Sequence, residues 1–172
     1  MPARDEFVRE VARKAQEYDK HSGCSQSVLL ALQEAFGIGD QQSFKAASVL
    51  AGGIARQGET CGAVIGALMA LGLVMGREEM EDTGQYRKAM GPAQEIIEDF
   101  QRELQAQFEF SGGLKTSICR DVQKAIYGRS FDMTDAEDYQ AFLDAGGHGD
   151  SGCPKVCAVA AQVGAQKLLE LE

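Results

Sequence analysis

Apolar residues recur along the chain at the three- and four-residue spacing of an α-helix. This spacing predicts helices over about residues 4–20, 24–36, 41–51, 59–76, 92–110, 117–127, 134–144 and 154–170. No segment alternates apolar and polar residues in the way that is typical of a β-strand. The sequence therefore predicts an all-α fold, a single-domain bundle of about six to eight helices that spans residues 1–172.

The predicted helix at about residues 59–76 differs from the others because it is apolar on nearly every face. A helix without a polar face is expected at the centre of a bundle. Gly62, Gly66 and Ala70 recur every four residues, so a neighbouring helix or a cofactor could approach the backbone closely. The segment is too short and too rich in glycine to predict a membrane span.

Capping residues and proline set the expected helix ends. Ser22 and Asp40 are expected to cap the second and third helices. Pro92 suits the first turn of a helix. The polar residues 77–90 before it are therefore expected to form a surface excursion.

Composition and charge narrow the class of protein. The chain is 44% hydrophobic and 25% charged, which is typical of a globular domain and argues against disorder. With 17 basic and 26 acidic residues its net charge is −9, so nucleic acid and anionic membranes are poor partners. Residues 1–6 lack the apolar segment of a secretory signal, which predicts a cytoplasmic protein.

Five cysteines carry the candidate chemistry: Cys24, Cys61, Cys119, Cys153 and Cys157. Without a secretory signal they are expected to be thiols or ligands rather than disulfides. The first four lie at the start of predicted helices, near free backbone N–H groups and the positive end of a helix dipole. This setting is expected to lower a thiol pKa and to stabilise the thiolate.

Two interpretations of these four cysteines stay open from the residues alone. If the helix starts meet at one end of the bundle, four thiolates would meet there, as zinc or an iron–sulfur cluster requires. Buried cysteine also serves as a small apolar filler. The sequence spacings of about 37, 58 and 34 residues include none of the C-x-x-C pairs of zinc fingers or bacterial ferredoxins.

A family resemblance adds to this pattern. Residues 58–68 read Gly-Glu-Thr-Cys-Gly-Ala-Val-Ile-Gly-Ala-Leu and resemble the central motif of the bacterial redox-active family called C-GCAxxG-C-C. Residues 23–29 resemble the family's first-cysteine segment, and residues 50–56 resemble its glycine-rich approach. Cys119-Arg120 and residues 153–156 resemble its third and fourth cysteine positions.

The resemblance extends over about residues 20–170 and implies a small redox protein of anaerobic bacteria with a redox protein as its partner. A related segment in split-Soret cytochromes is associated with a [2Fe–2S] centre. The resemblance therefore implies that Cys24, Cys61, Cys119 and Cys153 bind an iron–sulfur cluster of this type for electron transfer or redox sensing. No C-x-x-C-H motif is present, which excludes covalent c-type haem.

Two other functions remain alternatives, and whether the protein is an enzyme stays open. In a thiol–disulfide or peroxide-reducing enzyme, Cys61 would be a low-pKa nucleophile and another cysteine would resolve it. In a structural protein, the same four cysteines would bind zinc. The glycine face of the helix at 59–76 would also suit a homodimer contact.

Four further residues near the motif have more than one interpretation. Cys157 lies one helical turn after Cys153 and could be an alternative ligand, a resolving thiol or a packing residue. His21 and His148 are the only histidines. Either could bind metal or transfer a proton, but a surface loop position is the commoner case. Glu59 favours a helix start and could also act as a general base.

Overall fold

The structure is a computed structural model that describes residues 2–171. Eight α-helices lie within this range, so the all-α bundle and its helix number are confirmed. They are α1 (Pro2–Asp19), α2 (Cys24–Phe36), α3 (Gln41–Ala46), α4 (Gly62–Met75), α5 (Thr83–Phe108), α6 (Cys119–Tyr127), α7 (Ala136–Asp144) and α8 (Cys153–Glu170). A short 3₁₀ turn, Ala47–Leu50, follows α3.

The core of the bundle lies around α4 and α8. α8 packs against α1, α2, α4 and α5, and α4 packs against α2, α5 and α8. The first turns of α4 are buried, as predicted for a central helix, while Leu73 and Val74 near its end are 41% and 46% exposed. In α8, Gly164 is the point of closest approach, because a Cβ there would lie 2.9 Å from Leu32 Cδ1 of α2.

The glycines of α4 have the packing role that their spacing predicts. A Cβ on Gly66 would lie 2.5 Å from the backbone oxygen of Ser25 and 2.9 Å from Val28 Cβ, so the α2 backbone rests directly on this position. Gly72, two turns further along α4, has nothing within 4 Å of such a Cβ. Close helix contact is therefore confined to the buried part of α4.

The predicted start of α5 is wrong. The helix begins at Thr83 rather than at Pro92, which lies inside it. The Asp82 side chain caps this start by accepting a hydrogen bond from the Gln85 N–H at 2.8 Å. Gln85 Nε2 also donates to Met75 O at 2.7 Å, which ties the start of α5 to the end of α4. Because Gly91 has no Cβ, the steric clash between the proline ring and the residue before it is smaller, and the helix can continue through Pro92.

The two predicted caps have different outcomes. Asp40 caps α3 as expected, accepting a hydrogen bond from the Ser43 N–H at 2.8 Å. Ser22 does not cap α2: the N-cap position is Gly23, whose φ of 96° is left-handed, and no side chain caps it. Ser22 itself has a φ of 69°. The turn between α1 and α2 is thus fixed by backbone conformation.

A second, smaller apolar cluster lies around α6 and α7. Its buried members are Phe131, Met133 and Phe142, and Tyr127 and Tyr139 pack against them. Three of its ring pairs, for example Phe131 on Phe142, meet edge to face at about 5.7 Å. In residues 2–171 the structure contains no helix with the length and apolar character that crossing a membrane requires.

Candidate functional site

The five cysteines lie around one cavity of about 70 Å³. Cys24, Cys119 and Cys153 are the first residues of α2, α6 and α8, and Cys61 is the N-cap residue of α4. The predicted position of each at a helix start is therefore confirmed. Cys157, one turn into α8, lines the same cavity. The four helix starts do meet.

A short antiparallel pairing brings Cys61 and Cys119 together. The Cys61 N–H donates to Ser117 O at 2.8 Å, and the Cys119 N–H donates to Glu59 O at 2.6 Å. The Glu59 side chain forms an ion pair with Arg120, and both side chains are about half exposed. Glu59 therefore anchors the two segments at the surface, and no contact places it as a base for Cys61.

The chain reaches this pairing through a left-handed turn at residues 52–56. Ile54, Ala55 and Arg56 have φ values of 60°, 50° and 63°, and Gly52 and Gly53 before them are also positive. For L-residues this conformation costs roughly 1–2 kcal/mol each. Such strain persists where the surrounding structure fixes the backbone, which is common at functional sites.

The left-handed turn has two direct effects on the cavity. Burial raises the pKa of the Cys24 thiol, and the Gly52 backbone amide partly opposes this by pulling that pKa down. Gly53 lets the backbone pass close to α6, since a Cβ there would lie 2.6 Å from Cys119 Cβ. The backbone of the turn therefore acts on two of the cysteines, Cys24 and Cys119.

The motif glycine after Cys61 makes room for a different thiol. A Cβ on Gly62 would lie 2.5 Å from Cys24 Sγ and 2.9 Å from the backbone oxygen of Leu50. Any larger residue at this position would displace the Cys24 side chain. In this Cys-Gly pair, Cys61 lies at the start of α4, and Gly62 therefore leaves the space that the Cys24 side chain at the start of α2 occupies.

Tyr127, at the end of α6, fixes the start of α8. Its hydroxyl accepts a hydrogen bond from the Cys153 N–H at 3.0 Å. The hydroxyl lies 3.2 Å from Gly147 O and 3.6 Å from Cys153 Sγ, so its single proton is shared between these two acceptors. Burial raises the pKa of Tyr127 well above its ordinary value, which keeps the proton in place.

Cys157 is fully buried and belongs to the core as well as to the cavity. Its thiol lies 3.9 Å from the backbone oxygen of Cys24. Packing and cavity lining are therefore both roles of this residue. The cavity holds five thiols rather than four.

The expectation that helix starts lower the thiol pKa values is wrong for this site. Burial raises the pKa of Cys61 to about 11 and that of Cys153 to about 12. The backbone N–H groups of Ala63 and Val64 do pull the pKa of Cys61 down, but desolvation outweighs them. Cys61 is thus not the low-pKa nucleophile that the thiol-enzyme alternative requires.

Asp19 is a cavity residue that sequence reasoning missed, and His148, a candidate from the sequence, was expected at the surface rather than in the cavity. Asp19, the last residue of α1, is 1% exposed, and its carboxylate raises the pKa of Cys24, Cys61, Cys153 and Cys157. A signal was present in the sequence, because Asp19 follows the apolar positions 8, 11 and 15 of α1 at helical spacing.

The surface position expected for the histidines is right for one of them and wrong for the other. His21 is exposed and lies outside the cavity. His148 lines the cavity, with both ring nitrogens buried. Its ring packs edge-on against Phe142 at 5.4 Å because the loop between α7 and α8 folds inward.

The cysteines share the cavity without forming a preassembled ion site. Over residues 2–171, histidine, cysteine, aspartate and glutamate side chains form no group of three or more that is placed to hold a metal ion.

Comparison with known proteins identifies the family. No match was found among curated proteins or among solved structures. The family model described as "Putative redox-active protein (C_GCAxxG_C_C)" matches residues 22–167. This range includes all five cysteines, the left-handed turn and His148. The chain belongs to the C_GCAxxG_C_C family of redox-active proteins.

Proposed function

We propose that the protein transfers electrons or senses redox state through one [2Fe–2S] cluster bound by Cys24, Cys61, Cys119 and Cys153. One observation carries this proposal: four separate helix starts bring these thiols to one buried cavity. Thiolate sulfur is the ligand that iron–sulfur clusters require. Membership of a redox-active family supports the same class of function.

The chemistry of the donor set fits such a cluster. Against the larger effect of burial, the Gly52 backbone amide pulls the pKa of Cys24 down, and the Ala63 and Val64 amides pull that of Cys61 down, so these N–H groups favour negative charge on the two sulfurs. Hydrogen bonds to ligating sulfurs stabilise their negative charge and tune the reduction potential. When bound, the cluster supplies one-electron redox chemistry at the cavity.

Much of the cavity wall is apolar. Val122, Met133, Phe142 and Val156 line it alongside the cysteines and are all nearly fully buried. At one side the Arg56 guanidinium lies over the Tyr139 ring, 4.7 Å from its centroid. An apolar shell of this kind limits solvent access and so influences the potential of a bound centre.

Metal analysis of anaerobically purified protein tests the proposal. We expect about two irons and two sulfides per chain, with visible absorption. Single serine variants of Cys24, Cys61, Cys119 and Cys153 should lose that absorption, and Cys157→Ala should keep it.

Other results would contradict the proposal in distinct ways. About one zinc per chain without colour would indicate the structural zinc protein instead. Neither metal, even after reconstitution with iron and sulfide, would leave thiol chemistry as the function. Loss of absorption in Cys157→Ala alone would show that the ligand set is wrong.

A further inference from the structure

We propose that Asp19 and His148 form a proton-holding pair, and that His148 takes up one proton when the cysteine site gains one electron. This inference rests on the proposed function. It gives the site a property that cysteine ligation alone does not supply, namely a reduction potential that depends on pH.

The carboxylate oxygens and ring nitrogens of the pair are buried, and among residues 2–171 none of them has a hydrogen-bond partner. His148 Nδ1 lies 3.5 Å from Asp19 Oδ2, just beyond a well-formed hydrogen bond. A buried carboxylate without a partner is costly, and a proton held on His148 Nδ1 would supply both the partner and the opposite charge.

The fold holds the two residues opposite each other. The loop that carries His148 is tied to the last turns of α1, because Gln16 Nε2 donates to Asp150 O at 3.0 Å and Lys20 pairs with the Asp150 side chain at 3.1 Å. A Cβ on Gly147 would overlap the Phe142 ring. Because glycine has none, the loop packs directly against this ring. Asp19 and His148 are therefore placed by the fold.

The charge at Asp19 reaches the thiols. Its carboxylate raises the pKa of Cys153 and Cys157 in α8, as well as those of Cys24 and Cys61. Electrostatic coupling is mutual, so negative charge added at the cysteines must equally favour a proton on the pair. His148 lies five residues from Cys153, and its nitrogens bond to no cysteine sulfur.

The other titratable groups around the cavity are either neutral or already in contact with another side chain. Besides the thiols of α2, α4, α6 and α8, these are Tyr139 of α7, Tyr127 of α6 and Arg56 of the left-handed turn. Arg56 lies over the Tyr139 ring, and Tyr127 bonds at Cys153. His148 is thus the group placed to bring a proton to Asp19.

The step balances in charge and atoms. A reduced flavin or iron–sulfur protein donates one electron to the cysteine site and is itself oxidised by one electron. His148 takes up one proton that comes from solvent and holds it at Nδ1 against Asp19. The net charge in the cavity is then the same before and after, and reoxidation returns the proton to solvent.

The test is the midpoint potential of the cluster-loaded protein measured between about pH 6 and pH 9. In the wild type the potential should fall as pH rises, approaching a tenfold change in equilibrium constant per pH unit, or 59 mV for one electron. In His148→Gln the slope should vanish. In Asp19→Asn it should flatten, since Asp19 positions the proton on His148. The matched control His21→Gln should keep the wild-type slope.

The double variant Asp19→Asn/His148→Gln leaves no buried charge unpaired and replaces His148→Gln if that variant fails to fold. Its midpoint potential should also be independent of pH. A flat wild-type potential, or an unchanged slope in His148→Gln or the double variant, would overturn the inference. Iron and sulfide are measured on the same samples. A sample without iron overturns the proposed function and this inference together, whereas full iron with a flat potential overturns this inference alone.

Discussion

At the scale of single residues, each thiol is subject to two opposed effects. Backbone N–H groups favour a thiolate at Cys24 and Cys61, while burial and Asp19 disfavour it. Burial wins for every cysteine, so the metal-free site holds neutral thiols. Binding of the proposed cluster would therefore release protons from these thiols.

This balance predicts how the stability of the metal-free protein depends on pH. The pKa of Cys61 rises from an ordinary 9.0 to about 11 in the folded protein. The folded state thus favours the protonated thiol, and its contribution is complete below pH 9 and is lost as pH rises through about 11. The difference between these two pKa values corresponds to about 3 kcal/mol.

Urea unfolding of metal-free wild type and Cys61→Ala from pH 8 to pH 11 measures this contribution. The free energy of unfolding should fall more steeply with pH in the wild type than in the variant. Parallel curves would show that the Cys61 thiol is not buried as described.

At the scale of elements, the contact between α2 and α4 depends on Gly66. Its missing side chain lets the Ser25 carbonyl rest on the α4 backbone. Gly66→Ala should destabilise the protein by about 1–3 kcal/mol because the two helices must move apart.

Gly72→Ala is the matched control in the same helix. Its Cβ would enter open space, and alanine is the better helix former, so we expect a gain of up to about 1 kcal/mol. Thermal unfolding of both variants checks the prediction. Equal effects would mean that helix propensity, and not the packing of α2, decides both results.

Sequence patterns located most elements because helical stripes and caps such as Asp40 are local signals. The start of α5 was missed because it depends on Gln85 reaching the backbone oxygen of Met75, a tertiary contact. The cysteines were placed at helix starts from local signals as well. The burial of Asp19 and His148 was missed, since it depends on a loop folding onto α1.

At the scale of the whole molecule, α6 and α7 form a separate layer beside the main bundle. Neither helix packs extensively along another helix of the bundle. Their attachment includes the Cys61–Cys119 pairing, Tyr127 at Cys153, and Val122 of α6, which packs in the main core. The proposed cluster would link the same elements, because Cys119 lies in α6 and the other three ligands lie in α2, α4 and α8.

Hydrogen exchange tests this arrangement. Removal of the proposed cluster should speed amide exchange in α6 and α7 first, while α2, α4 and α8 keep most of their protection. Hydrogen–deuterium exchange, measured by mass spectrometry on the cluster-loaded and the cluster-free protein, compares the protection of each helix in the two states. Uniform loss of protection over all helices would show that the layer does not open separately.

The order of the cysteines along the chain also bears on biosynthesis. Cys24 and Cys153 are about 130 residues apart, and the pairing that positions Cys119 closes only after α6 has been made. A nascent chain on the ribosome therefore lacks the complete set of proposed ligands until nearly all of this region has been translated. Under the proposed function, iron and sulfide would be delivered only after translation of Cys153, and a truncated translation product without that residue would lack one of the four proposed ligands.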